Sequence, residues 1–205
     1  MRTIIPLTGG DTGLILLAAG MSSRMGEPKQ LLQVGGRPMV RHAAQAALMS
    51  DCNPIVVVVG AYEDQVRQAL SGLPVIIAVN PDWREGMGSS IQAGIRALPD
   101  NCKGGAILAL ADQPLITARV YNDLLQRAEQ TGKPVVASQY ADTVGVPVLF
   151  RRSFFPNLMA LKPSQGCKGI ILGHPAESLL VDCPEAEVDI DNAADYRGLT
   201  AAAYS

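Results

Sequence analysis

Nearly unbroken apolar runs recur along this chain, each closed by Gly, Pro, Asn or Asp and each followed by a longer stretch with helical spacing. Positions 14–18, 55–59, 74–79, 106–110 and 134–137 are apolar at successive rather than alternate places. That is the pattern of parallel strands covered on both faces. Between them, 38–49, 62–70, 89–97 and 117–130 carry helical periodicity. Pro38 sits where a first helical turn tolerates proline, and Thr117 is placed to cap its helix. The alternation predicts right-handed crossovers and an α/β fold: a single-domain, doubly wound, mostly parallel sheet with helices on both faces. Beyond 140 the pattern loosens. Strands are expected at 146–150 and 179–181, with an edge strand at 188–190, and helices at 151–161 and 192–203.

Composition narrows the class of function. The 205 residues suit one domain, residues 1–205, with no repeat or linker to divide it. A hydrophobic share of 48% supports a large core, and a net charge of -2 argues against a general nucleic-acid binder. The four cysteines, Cys52, Cys102, Cys167 and Cys183, form no CxxC pair, and the only histidines are His42 and His174. This excludes a zinc ligand pattern and reads as reduced thiols. His42 falls on a helix face and His174 at a turn before Pro175. Residues 1–6 lack the long apolar core and cleavage site of a signal peptide, so no secretory leader is expected, and no apolar run approaches the ~20 residues of a membrane span. A cytoplasmic protein without a membrane partner is expected.

Open α/β sheets bind ligands beyond the carboxyl ends of their strands, where the strand order reverses. The segments that follow strands therefore carry the candidate chemistry. After the first run comes "LAAGMSSRMGEPKQLL", residues 17–32. It fails the dinucleotide pattern G-x-G-x-x-G, because Met21 and Ser22 follow Gly20. It fails the Walker pattern too, because Glu27 and Pro28 intervene between Gly26 and Lys29. Its ingredients are still those of an anion cradle. Ala18, Ala19 and Gly20 let backbone N–H groups approach a ligand, and Ser22 and Ser23 add hydroxyls. Arg24 can fork onto phosphate oxygens, while Lys29 supplies a point charge. After the fourth run, Asp112 precedes Pro114. A carboxylate at a strand end facing phosphates suits Mg²⁺, which takes one or two carboxylates together with phosphate oxygens. Asp189 and Asp191 lie two residues apart, on one side of an extended segment; helix capping is the competing role for Asp191 or Asn192.

The ordered set Leu17, Ala18, Ala19, Gly20, Ser22, Arg24, Met25, Gly26, Lys29 and Leu31 resembles the signature of the nucleotidyltransferases related to the molybdenum cofactor guanylyl- and cytidylyltransferases. The wider superfamily includes sugar-phosphate and methylerythritol-phosphate nucleotidyltransferases. Similarity continues in "NPDWREGMGSSIQAG" (80–94), "LADQP" (110–114) and "DIDNAADY" (189–196). The resemblance implies a Rossmann-like fold of the nucleotide-diphospho-sugar transferase type. Its nucleotide half would span about 12–115 and its acceptor half about 116–205. It implies Arg24 and Lys29 as catalytic charge-neutralising residues, and Ala18, Ala19, Gly20, Ser22, Asn80 and Ser90 as nucleotide contacts. Asp112 would bind the metal, joined by Asp191, and the cofactor would be Mg²⁺.

By the same resemblance, "LAAG" accompanies cytidine transfer and "LAGG" guanosine transfer, so CTP is expected over GTP. "GVPVLF" (145–150) is similar to the family's G-H-P-x-L-F and implies acceptor contacts at Gly145 and Pro147. The expected acceptor is a phosphorylated pterin, molybdopterin carrying molybdenum, with a molybdenum enzyme as recipient of the product. Two departures fall in this half. Val146 replaces the histidine of that motif, and Cys167 in "GCKGII" (166–171) stands where G-D-x-G-A has aspartate. Three alternatives remain open: methylerythritol phosphate or a sugar phosphate as acceptor, a nucleotide-binding accessory protein for molybdenum enzyme maturation, and a nicotinamide-dependent dehydrogenase. The failed dinucleotide pattern disfavours the last.

Overall fold

The computed structural model describes residues 11–21 and 28–189. Its sheet begins with β1 (Thr12–Leu17), whose apolar residues are buried on both sides of the sheet. Leu14, Leu16 and Ala18 join one core layer. There they meet apolar residues of α1 (Met39–Leu48), α2 (Glu63–Ala69) and α4 (Ala118–Thr131). Ile15, Leu17 and Ala19 join the other, with Ile91 of α3 (Met87–Ala97), Leu158 of α5 (Phe155–Met159) and Ile170 and Ile171 of α6 (Lys168–Gly173). Successive strand residues point to opposite faces, so an unbroken apolar run supplies both layers.

A small ribbon, β2 (Gln33–Val34) and β3 (Arg37–Pro38), turns at Gly35 and Gly36 and leads into α1. The remaining strands are β4 (Ile55–Val59), β5 (Ile76–Val79), β6 (Gly105–Leu110), β7 (Val135–Tyr140), β8 (Thr143–Arg151) and β9 (Ser178–Asp182). They form a seven-stranded sheet in the order β5-β4-β1-β6-β8-β7-β9. β8 runs antiparallel to both neighbours, and every other pairing is parallel. From β1 the chain winds outward through β4 to β5, and α3 then carries it back to β6 on the other side of β1. The order therefore reverses between β1 and β6, and a crevice opens at their carboxyl ends.

The first four helices and the strands up to position 137 lie where the periodicity places them. Four departures follow. β7 runs on to Tyr140 and is joined to β8 by Ala141 and Asp142, both at positive φ (44° and 57°). A two-residue turn of that hand makes an antiparallel hairpin. Val188 and Asp189 are in no strand, because a 3-10 turn at Pro184–Glu187 takes the chain off the sheet. The helix expected over 151–161 is confined to α5, since β8 continues through Arg151 and a 3-10 turn at Arg152–Phe154 follows. α6 has no counterpart among the predicted elements. The helix expected at 192–203 lies outside the described residues.

The four cysteines are free and buried. Burial pushes the thiols of Cys52 and Cys167 up to about 12, with the Ser50 hydroxyl opposing it at Cys52. Among the described residues, no helix is long and apolar enough to cross a membrane.

Candidate active site

At the reversal point the ends of β1 and β6 and the start of α3 enclose a cavity of about 260 Å³. Its wall includes Ala18, Ala19 and Gly20 after β1, Ala111 and Asp112 after β6, and Trp83, Met87 and Ser90 from the third crossover. The apolar surface suits a flat ring system, and the few polar groups converge at its rim.

Lys29 and Asp112 meet there. Lys29 is carried by a short 3-10 turn (Lys29–Leu31), and its Nζ pairs with Asp112 Oδ2. The two side chains are 18% and 14% exposed, so the pair is largely removed from water while remaining reachable from the cavity. The second carboxylate oxygen, Oδ1, is buried and has no hydrogen-bond partner among the described residues. A buried carboxylate oxygen left this way is costly unless something positive completes it. A divalent cation fits that oxygen, and one carboxylate is enough for Mg²⁺ when phosphate oxygens supply the rest. Asp191, the second expected ligand, lies outside the described residues, as do Ser22 and Arg24.

Asn80 stands one layer behind the cavity wall, 3% exposed. Its Nδ2 donates to Ser89 Oγ (2.9 Å) and Ser90 Oγ (3.0 Å), and its Oδ1 accepts from the Asp82 N–H at 3.1 Å. Ser89 spends its own proton on the carbonyls of Gly86 (2.8 Å) and Asp82 (3.0 Å). Ser90 accepts from Asn80 and lines the cavity, which leaves its O–H to donate. Asn80 thus orients the hydroxyl that faces the cavity.

The start of α3 is held close to the segment after α5. Gly88 N–H donates to Pro163 O at 2.8 Å, and Gln92 Nε2 donates to the carbonyls of Met159 (3.2 Å) and Leu161 (2.9 Å). A Cβ at Gly86, where φ is 125°, would stand 2.7 Å from Pro163 O, and one at Gly88 would stand 2.3 Å from Lys162 O. The glycines of "GMGSS" answer to this contact.

Gly145 and Pro147 do not line the cavity. They sit on β8 where it bulges against β7, and Pro147 O accepts from Ser138 Oγ at 2.7 Å. The bulge is tied to the loop carrying Asp112 by Gln113, whose Nε2 donates to Val146 O (3.3 Å) and Ala186 O (2.9 Å). The Tyr140 hydroxyl lies 2.8 Å from where a Cβ at Gly145 would stand. Val146 and Cys167, the two departures in this half, are both buried in the apolar layer that contains α3 and α6. His42, expected only as a helix-face residue, has Nε2 3.1 Å from Pro114 O and so braces the loop carrying Asp112.

Sequence reasoning missed Gln30 and Trp83 as cavity residues. Gln30 is a lone polar side chain between Lys29 and two leucines, and no periodicity separates it from a surface residue. Trp83 is the chain's only tryptophan and lies inside a quoted motif, which was the available signal.

A model of the MobA-like NTP transferase domain matches residues 14–178. "Nicotine blue oxidoreductase" from Paenarthrobacter nicotinovorans is 40% identical over 122 residues, covering 57% of this chain and 59% of that protein. "Bifunctional protein GlmU" from Rhodococcus jostii (strain RHA1) is 33% identical over 145 residues, 67% of this chain and 29% of that one. The chain therefore spans less than two thirds of both curated relatives. Among solved structures, Rv0371c from Mycobacterium tuberculosis H37Rv in complex with manganese superposes with a TM-score of 0.71 at 25% identity, covering 92% of this chain and 96% of that one.

Proposed function

This chain belongs to the MobA-like NTP transferase family, and from that premise we propose that it transfers a nucleoside monophosphate, CMP from CTP, to a phosphorylated acceptor and releases pyrophosphate. The observation that carries the reading is the Lys29–Asp112 pair, set at the reversal point of the sheet beside a cavity of nucleobase size. A phosphate oxygen of the acceptor attacks the α-phosphorus. The new O–P bond forms as the bond to the β-phosphate oxygen breaks, and pyrophosphate leaves with that electron pair. A phosphate monoester is already anionic at pH 7, so the step requires no protein base, in keeping with a chain that has two histidines.

The barrier is the approach of two anions in line, and catalysis falls to positioning and charge neutralisation. Lys29 has a carboxylate on one side and the open cavity on the other, and it exchanges part of that ion pair for the triphosphate. Arg24 adds a second cation from the same loop. Asp112 Oδ1 would hold Mg²⁺, which would supply charge neutralisation on the phosphates. Manganese bound to Rv0371c supports a divalent ion in this fold. The base lies between the Ala18–Gly20 loop and Trp83, with Ser90 donating to it or to the ribose.

The acceptor is assigned to the second half, about 116–205, where Gly145 and Pro147 shape the bulge in β8 that Gln113 ties to the Asp112 loop without themselves lining the cavity, and the acceptor proposed is a phosphorylated pterin destined for a molybdenum enzyme. Pyrophosphate release in magnesium buffer tests the reading, with CTP, GTP, UTP and ATP each offered alongside the pterin, methylerythritol phosphate and a sugar phosphate. Turnover with CTP and the pterin is the expected result. Preference for GTP, or for another acceptor, would reassign the substrate.

The Paenarthrobacter relative is named an oxidoreductase, which favours a second reading, redox chemistry on a nucleotide cofactor held in the same crevice. Oxidation of NADH or NADPH that depends on the protein, without pyrophosphate release from any triphosphate, would establish it.

A further inference from the structure

The hydrogen-bonding polarity of the first loop is decided by one buried side chain. Gln30 is 2% exposed, and its Nε2 donates to the carbonyl of Ala18 (3.2 Å) and to that of Gly20. The carbonyl between them, that of Ala19, accepts from Ala61 N–H at 3.0 Å. Each backbone carbonyl from Ala18 to Gly20 thereby already has a donor. The N–H groups are not all matched in this way. Ala18 N–H is bound to Val58 O at 2.9 Å, but the N–H groups of Ala19 and Gly20 have no partner among the described residues, and both residues line the cavity. An unpaired N–H at a buried residue such as Ala19 carries a cost that a ligand oxygen would remove.

Building on the nucleotide reading above, we infer that Gln30 is a positioning residue that makes this loop a cradle of donors only. Such a loop grips ligand atoms with lone pairs, the oxygens of a phosphate or the carbonyl of a base, and offers an exocyclic amino group only carbonyls that already have a donor. The residue type follows from the task. A glutamate at 30 would set its own oxygens against two carbonyls, and a leucine would leave both carbonyls open to the cavity. Only an uncharged donor of this length closes them without adding a third charge beside Lys29 and Asp112.

Titration calorimetry of the full chain in magnesium buffer, with CTP, UTP and inorganic tripolyphosphate, tests this on the wild type and on Gln30→Met, which keeps the length and cannot donate. The variant is expected to lose at least ~10-fold in affinity for both nucleotides, the scale of hydrogen bonds to a charged group. Tripolyphosphate weakening in step places the donors on phosphate. Tripolyphosphate unchanged, with UTP losing more than CTP, places them on the base, because the freed carbonyls then accept an amino group and repel a keto oxygen. Gln30→Met that still melts cooperatively and binds all three within twofold of wild type overturns the role.

Amide spectra of the wild type give a measurement that needs no variant. The Ala19 and Gly20 N–H signals should move downfield and exchange more slowly when the binding site is saturated, and unmoved signals sink the inference. A wild type that binds none of the three probes removes the nucleotide reading itself, whereas binding with an indifferent Gln30→Met removes only the role of Gln30.

Discussion

Lys29 and Asp112 share one ion pair yet have separate tasks in the proposed reaction, and their variants should fail in the same direction for different reasons. Lys29→Ala removes a cation facing the triphosphate and leaves the Asp112 carboxylate without its partner. Asp112→Ala removes the oxygen that would hold the metal and frees Lys29. Each should lower the rate of pyrophosphate release at least ~100-fold, the scale of one preorganised electrostatic contact. Rates within a few-fold of wild type in both would remove the pair from the chemistry. The buried thiols make a second prediction at this scale. Cys52 and Cys167 ionise near pH 9 once exposed by unfolding and only at about 12 in the folded chain, because burial disfavours the thiolate. The unfolded state therefore binds fewer protons than the folded state between those values, and stability must fall as pH rises. Denaturant midpoints should be insensitive to these two groups below pH 9 and decline from 9 towards 12. Replacing both cysteines by alanine should flatten that decline.

Helix α3 shows how far an element is constrained by what it touches. A Cβ at Gly94 would stand 2.4 Å from Ile15 Cγ2 and 3.1 Å from Val58 Cγ2, so the helix lies almost directly on β1 and β4. Gly94→Ala should destabilise the fold by ~1–3 kcal/mol, the usual cost of overpacking, read as a lowered denaturant midpoint at unchanged slope. Gly88→Ala meets a backbone carbonyl instead of a flexible side chain, and it should also tilt the turn that presents Ser90. Its mark would be a raised KM for the triphosphate beyond any loss of stability. Elements such as α3, β1 and β4 were legible in the chain because two-sided burial writes an unbroken apolar run and one-sided burial a helical stripe. The β7–β8 hairpin was not, since Ala141 and Asp142 adopt positive φ without the Asn-Gly or Gly-Gly pair that announces such a turn. α6 was hidden because six residues are too few for a period. In the candidate site, Lys29 and Asp112 could be singled out from sequence as charged residues in the loops after β1 and β6, and the structure pairs them. Gln30 could not, because the carbonyls it serves are contacts between segments 10 and 12 residues apart.

Across the whole molecule, the cavity is assembled from pieces that meet only when the sheet is complete. The first loop hangs from β1, Asp112 from β6 and Ser90 from α3, and β1 is hydrogen-bonded to both β4 and β6. No piece of this wall survives unfolding, so a nucleotide that uses all of it must stabilise the folded state by mass action. Free nucleotide at a hundred times its Kd would add ~2.7 kcal/mol. For a chain of 205 residues, where each kcal/mol moves Tm by ~2–4 °C, that is a rise of about 5–10 °C. The proposed role of Asp112 adds a condition to this. CTP with Mg²⁺ should raise Tm by more than the separate shifts from CTP and from Mg²⁺ added together, because nucleotide and metal share phosphate oxygens and each completes the other's site. In Asp112→Ala the excess should vanish while the shift from CTP alone persists. Additive shifts in the wild type would mean that metal and nucleotide do not meet at this carboxylate, and the charge that Lys29 faces would then have to be neutralised by protein side chains alone.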